Sequence, residues 1–228
     1  VTGQRAAELA ANLLALRGRI AAAAQAAGRD AETITIIAVT KTWPAADVRI
    51  LAGLGLTQVA ENRHQEGAMK CREVADPHLT WHFIGGLQSN KVRQVLRWSD
   101  VVHGVDRSSL IPAIAAASPG HQILVQVSLD GDPRRGGCAP GEVLALAEAA
   151  HAAGLHVRGL MAVAPLAEDP AAAFGRLALV AASLRAELPG AHWISAGMSG
   201  DLEAAIAAGA THVRVGTVLL GHRSPLDG

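Results

Sequence analysis

Strict alternation limits what this chain can fold into. Eight short apolar runs, each separated from the next by a stretch of helical periodicity, fill the sequence from Ile34 onward. The runs are Ile34–Val39, Leu56–Ala60, Thr80–Gly85, Asp100–Val105, Gln122–Leu129, His156–Val163, His192–Gly197 and His212–Thr217. Helices are expected over Ala45–Leu54, Arg63–Val74, Lys91–Trp98, Ser108–Ala117, Pro140–Ala153, Ala171–Glu187 and Leu202–Ala208. Strands separated by helices pair in parallel, because parallel neighbours need a long crossover. Eight such units closing on themselves make a (β/α)8 TIM barrel. An open doubly wound sheet would carry GxGxxG at the start of its first helix, and that motif is absent. With no linker or composition shift, residues 1–228 read as a single domain. Ahead of the first strand, Leu9, Leu13, Leu16 and Ile20 share one face of a segment from Thr2 to Ala27. Arg5, Glu8, Arg17 and Arg19 fall mostly off that face, and Gly28 ends the segment as a left-handed cap. This is an extra N-terminal helix.

Charge excludes several partners. Twenty basic and twenty acidic side chains cancel, with no basic stripe for nucleic acid and no acidic arm. The apolar runs are strand-length, too short for a membrane span, and nothing resembles a leader, so a cytoplasmic protein is expected. Cys71 and Cys138 read as reduced structural thiols, and the ten histidines show no metal-ligand spacing. A closed barrel of this size is expected to be a monomer.

Barrel chemistry collects where the strands end at their carboxyl side. The first run, ITIIAVTK, ends in Lys41; a lysine emerging from a dry strand would shed hydration and offer the neutral amine that Schiff-base formation needs. Its bland alternative is a lysine that simply reaches solvent. The second strand runs into Glu61-Asn62, where Asn62 either faces the site or caps the next helix with Gln65 as its capping-box partner. Ser89 reads as another cap. His82 lies between Trp81 and Phe83 and is expected to be a hydrogen-bonded core histidine. Arg134 and Arg135 occupy a polar loop and are either solvated or meet a second anion. Gly197-Met198-Ser199-Gly200 and Gly216-Thr217 follow strands seven and eight, where barrels commonly bind phosphate through backbone N–H groups. Their alternatives are a helix cap at Ser199 and a tight turn at Gly216. Arg214 sits inside an otherwise apolar strand and must have a partner, since an unpaired buried guanidinium costs several kcal/mol. A lysine, a phosphate cup and an arginine between them describe a site for a phosphorylated aldehyde, either a sugar phosphate or pyridoxal phosphate.

The motifs IIAVTKTWP, AENRHQE, WHFIGGLQSNK, VRGLMAV, GMSGDLEAAIAAG and HVRVGTVLLG occur in the order and spacing of one family. The chain resembles the pyridoxal phosphate homeostasis proteins, single-domain barrels similar to the N-terminal domain of alanine racemase. The resemblance implies that Lys41 forms an internal aldimine with pyridoxal 5'-phosphate. It implies Ser199, Gly216 and Thr217 around the phosphate, Arg214 facing the pyridine nitrogen and Asn62 near the ring. Departures at Ala60, Gly86 and Ala196 touch packing and loop shape. An arginine stands at the Arg134-Arg135 loop where relatives often carry a lysine, which removes a second aldehyde-capturing amine there. The implied role is to bind, store and deliver the cofactor to apo-enzymes, without turnover. A weak amino-acid racemase is the alternative, and a Schiff-base aldolase a third reading. The sequence contains no tyrosine to act as the racemase's second base, and it is expected to leave no room for a second domain. An arginine at the pyridine nitrogen would also favour the unprotonated ring, a poorer electron sink.

Overall fold

A computed structural model describes residues 2–221, so the single-domain reading over 1–228 extends past the described residues at both ends. The chain opens with α1 (Thr2–Ala26), then β1 (Thr35–Val39), α2 (Ala45–Gly53), β2 (Gln58–Glu61), α3 (His64–Val74) and β3 (Thr80–Phe83). It continues through α4 (Val92–Val95), β4 (Val101–Val105), α5 (Ile111–Ala117), β5 (Gln122–Gln126), α6 (Val143–Ala152) and β6 (His156–Met161). The last elements are α7 (Pro170–Glu187), β7 (Trp193–Ser195), α8 (Leu202–Ala207), β8 (His212–Val215) and α9 (Thr217–Leu220). All eight strands pair in parallel in sequence order, and β8 closes on β1 through Thr35↔His212 to Ala38↔Val215. The expected (β/α)8 TIM barrel with an extra N-terminal helix is the observed architecture.

Several strands stop short of their apolar runs. Leu129 and Val163 lie beyond the ends of β5 and β6, because the ladder gives way to loop pairing there: Val127 donates a last bond to Met161 O (2.8 Å) and forms an isolated bridge with Cys138. The fourth helix expected over Lys91–Trp98 shrinks to Val92–Val95 behind a 3-10 turn at Ser89–Lys91. Trp98 leaves the helix axis to pack edge-on against Trp81 and Phe83. Ser89 makes no cap bond; the residue flanking its turn is Gln88. At Gly159 (φ 148°) the β5–β6 register shifts, and a Cβ would lie 1.9 Å from Trp193 O, so only glycine fits.

The alternation of strand side chains separates two apolar regions. Ala38, Val59, Val102, Ile123 and Val213 face outward and join the helices in one large core. Ile37, Val39 and Ala60 face inward, together with Ile84. Helix α1 belongs to the outer core: Leu9, Leu13, Leu16 and Ile20 are all buried, each contributing about 1.5–3 kcal/mol. It packs across α8, α9 and α2.

Candidate active site at the barrel mouth

Strand register brings the candidate residues to one end of the barrel. Val39 pairs with Ala60 and Ala38 with Val215. Lys41 and Asn62 each lie two residues past their paired strand residue and continue the inward-facing positions. Thr217 lies two residues past Val215, which faces outward with its partner Ala38, and it opens α9 directly after β8. Gly216 sits against β1, where a Cβ would come within 3.4 Å of Val39 O. Lys41, Asn62 and Thr217 are exposed, Ser199 and Gly216 partly so, and Arg214 is buried at 4% exposure. The arrangement is an open rim over a buried cation.

Arg214 has partners, and all of them are neutral. Its guanidinium donates to Ser195 O (2.6 Å), Ser195 Oγ (2.7 Å) and Ala162 O (2.8 Å). No carboxylate pairs with it among the described ion pairs, and burial draws its pKa down to about 10. Below the arginine, His82 and His103 share a hydrogen bond of 2.8 Å, and His82 Nε2 meets Gln58 Oε1 at 2.8 Å. An amide oxygen only accepts, so Nε2 of His82 carries the proton and its Nδ1 accepts from His103 Nε2. His103 Nδ1 is then a bare acceptor, buried and unpartnered. Burial holds all three interior histidines neutral: His82 falls to about 3, His212 to about 4, and His103 falls well below its ordinary value. The expected core role of His82 is met, with both ring nitrogens engaged.

The loops after β7 and β8 are tied together. Gly197 (φ 88°) has its α-carbon so close to α8 that a Cβ would lie 2.6 Å from Ala205 Cβ. Ser199 does not cap its own helix, whose cap position is Asp201; its Oγ instead accepts from Val218 N in α9 (3.3 Å). Behind these loops α1 supplies three donors at seven-residue spacing. Arg5 donates to Leu220 O (2.9 Å), Asn12 to Leu219 O (3.0 Å) and Arg19 to Ser199 O (3.2 Å). Arg5 also pairs with Asp47 at 2.7 Å and lies over the Trp43 ring, reaching the loop after β1. Sequence reading placed Arg5 and Arg19 off the leucine stripe without assigning them work. Their spacing from Asn12 was the available signal.

Lys41 does not sit in the dry environment expected of it. It lies in a turn after Thr40 and is exposed. The buried ammonium here is Lys70 on α3, which sequence reading missed. Its three hydrogens go to Thr40 O (2.6 Å), Glu61 Oε1 (2.7 Å) and Glu66 Oε1 (2.6 Å). Glu61 Oε1 also accepts from Thr40 Oγ1 (2.6 Å), and Glu66 accepts from Thr42 N. Burial pushes the Glu61 carboxyl upward, against the opposing pull of Lys70 and Thr40. Glu66 and Lys70 are four apart on a helix, a spacing that usually marks a solvated pair. The capping-box alternative for Asn62 is not met, since Arg63 occupies the cap position with no side-chain cap bond. Arg134 pairs with Asp132, while Arg135 binds Asp130, Val163 O and Ala164 O, which fastens the β5 loop to the end of β6. No group of metal-binding side chains occurs among the described residues, and no described helix is long and apolar enough to cross a membrane.

Fold and rim together define a racemase-type barrel, and comparison with known proteins agrees. Residues 11–224 match the family profile described as alanine racemase, N-terminal domain. The pyridoxal phosphate homeostasis protein of Pseudomonas aeruginosa is 44% identical, over 94% of this chain and 96% of the relative. That of Mycobacterium tuberculosis (strain ATCC 25618 / H37Rv) is 42% identical over 96% and 94%. The solved structure of PipY from Synechococcus elongatus PCC7942 with PLP bound superposes at TM-score 0.79 and 33% identity, covering 93% of this chain and 100% of PipY. The chain belongs to the pyridoxal phosphate homeostasis protein family.

Proposed function

We propose that this chain binds pyridoxal 5'-phosphate at the barrel mouth and holds it for delivery to apo-enzymes, as a single-domain cytoplasmic monomer. Lys41 is the covalent anchor for the aldehyde, Ser199, Gly216 and Thr217 surround the phosphate, and Asn62 borders the ring. The observation that carries the reading is Arg214: a buried cation inside the barrel, with only neutral acceptors, under an exposed lysine. Such a cation suits an acceptor such as a pyridine nitrogen. The cofactor supplies a reactive aldehyde and an electron-accepting ring. Lys41 binds and releases that aldehyde, α1 holds the phosphate loops, and Arg214 keeps a proton away from the ring nitrogen.

Storage is favoured over turnover by the surroundings of the lysine. The sequence has no tyrosine, and His82 is neutral with both nitrogens occupied, so neither supplies a second base opposite Lys41. The racemase-domain match keeps racemisation as the second reading. An absorption spectrum of the purified protein with added pyridoxal phosphate tests the first. A visible band that borohydride fixes, and that Lys41→Ala removes, is expected. No band would sink the cofactor assignment. Chiral chromatography after incubation with L-alanine or L-serine separates the two readings, since enantiomer formation would favour the racemase.

A further inference from the structure

The buried charges behind Lys41 take no part in the site as assigned, and they lie outside the barrel interior. Thr40 and Glu61 face outward, toward α3, which returns Glu66 and Lys70. Two main-chain groups are captured there: the Thr40 carbonyl by Lys70 and the Thr42 N–H by Glu66. These groups flank Lys41 on either side. Trp43 N closes the turn onto the same Thr40 carbonyl at 3.0 Å. Thr42 is β-branched yet adopts φ 67°, a strained left-handed conformation that persists only where its surroundings impose it.

A cluster serving stability alone would be built differently. Glu61 is fully buried, and its Oε2 has no hydrogen-bond partner, so its desolvation is not compensated. Apolar side chains of similar volume commonly replace buried ion pairs at no loss of stability. What apolar residues cannot do is hold both a carbonyl and a nearby N–H of one turn.

We propose that Lys70, Glu66 and Glu61 are positioning residues for Lys41, fixing the Thr40–Trp43 turn so that the Lys41 amine is presented to an aldehyde at the mouth. This rests on the reading of Lys41 as the covalent anchor. In that step a C=N bond forms between the Lys41 nitrogen and the aldehyde carbon as the C=O bond breaks. The oxygen leaves as one water carrying the two amine hydrogens, an ammonium having first lost its extra proton to solvent. The cluster exchanges no atom; it sets where the nitrogen sits. Misplacing a reacting group by about 1 Å costs up to about 100-fold in rate.

The test sets pyridoxal 5'-phosphate against pyridoxine 5'-phosphate, which shares ring and phosphate but has no aldehyde. In Glu66→Ala and Lys70→Met, borohydride-trapped attachment at Lys41 is expected to slow by about 10- to 100-fold. Calorimetric affinity for pyridoxine phosphate should stay within about twofold, because the phosphate loops and Arg214 are untouched. Glu66→Gln keeps an oxygen for Thr42 N–H and should recover most of the rate. Glu66→Ala leaves the Lys70–Glu61 pair intact, so it remains informative if Lys70→Met does not fold. Attachment at the wild-type rate in Glu66→Ala would overturn the proposal. So would a parallel loss of pyridoxine phosphate binding, which would make the cluster a support of the fold only. If the wild-type protein itself is never modified at Lys41, the anchor assignment fails first and takes this inference with it.

Discussion

On the β1–β2 side the barrel mouth is fastened to α3 by ion pairs taken out of water. On the β7–β8 side it is fastened to α1 by single hydrogen bonds onto the Ser199 carbonyl and the last carbonyls of α9, beside the exposed Arg19–Glu203 ion pair. Lys70, Glu61 and Glu66 are charged groups at short range, with Lys70 only 2% exposed and Glu61 fully buried. Asn12 and Arg19 reach Leu219 O and Ser199 O from a partly solvated helix surface. A buried ion pair penalises the loss of one partner heavily, because the other is left charged and dry. A hydrogen bond to a carbonyl near solvent penalises loss lightly, because water replaces the donor. The first arrangement holds one geometry; the second lets a loop adjust. Under the proposed function, the amine side is rigid and the phosphate side compliant.

The largest effect should come from Lys70→Met, which strands Glu61 in the core. It is expected to cost about 3–5 kcal/mol in urea denaturation. Adding Glu61→Gln should recover at least half; if it does not, the ionic account of this side is wrong. Acid should act next, on the neutral histidines that lie between the two sides. The folded values of His82 and His212 are depressed to about 3 and about 4, so between those values and about pH 6.5 only the unfolded chain binds their protons. Stability therefore falls as pH drops through that window, by about 1.4 kcal/mol per pH unit for each histidine. Urea titrations at pH 7 and pH 5 should show it, and His212→Asn should make the fall shallower by one histidine's share. Glu61 works in the opposite sense. Its raised folded value means that its contribution is present at low pH and is lost as pH rises through that value. Asn12→Leu on the compliant side is expected to cost only about 1 kcal/mol. It should weaken pyridoxal phosphate binding while leaving phosphate-free pyridoxal unaffected; equal weakening of both would erase the distinction between the two sides. Arg134→Ala, on an exposed residue paired with Asp132, should leave the denaturation midpoint unchanged.

The position of the candidate residues was legible because barrel rims track strand ends, and strand ends track a local period. Lys41, Asn62, Arg214, Gly216 and Thr217 all stand at or just past the carboxyl end of an apolar run, where a barrel keeps its chemistry. Their burial was less legible. The apolar run before Lys41 argued for a dry lysine, but the strand stops at Val39 and the turn carries Lys41 into solvent. Glu66 and Lys70 were invisible as a buried pair for the converse reason. Helical spacing states which side chains are neighbours on a helix, and does not state that Thr40 and Glu61 will be waiting beneath.

By itself, then, the amino-acid order determined the alternation, the parallel pairing it requires, the closed barrel and the set of groups at its mouth. These depend on backbone periods of two and 3.6 residues, which are written within a few positions. Only the tertiary structure decided which of those groups are dry, which are held, and by what. Arg5 and Leu220 are 215 residues apart, and Arg19 and Ser199 are 180 apart. Such contacts have no local period to announce them, because they exist only once β8 has closed on β1 and brought the two ends of the chain together.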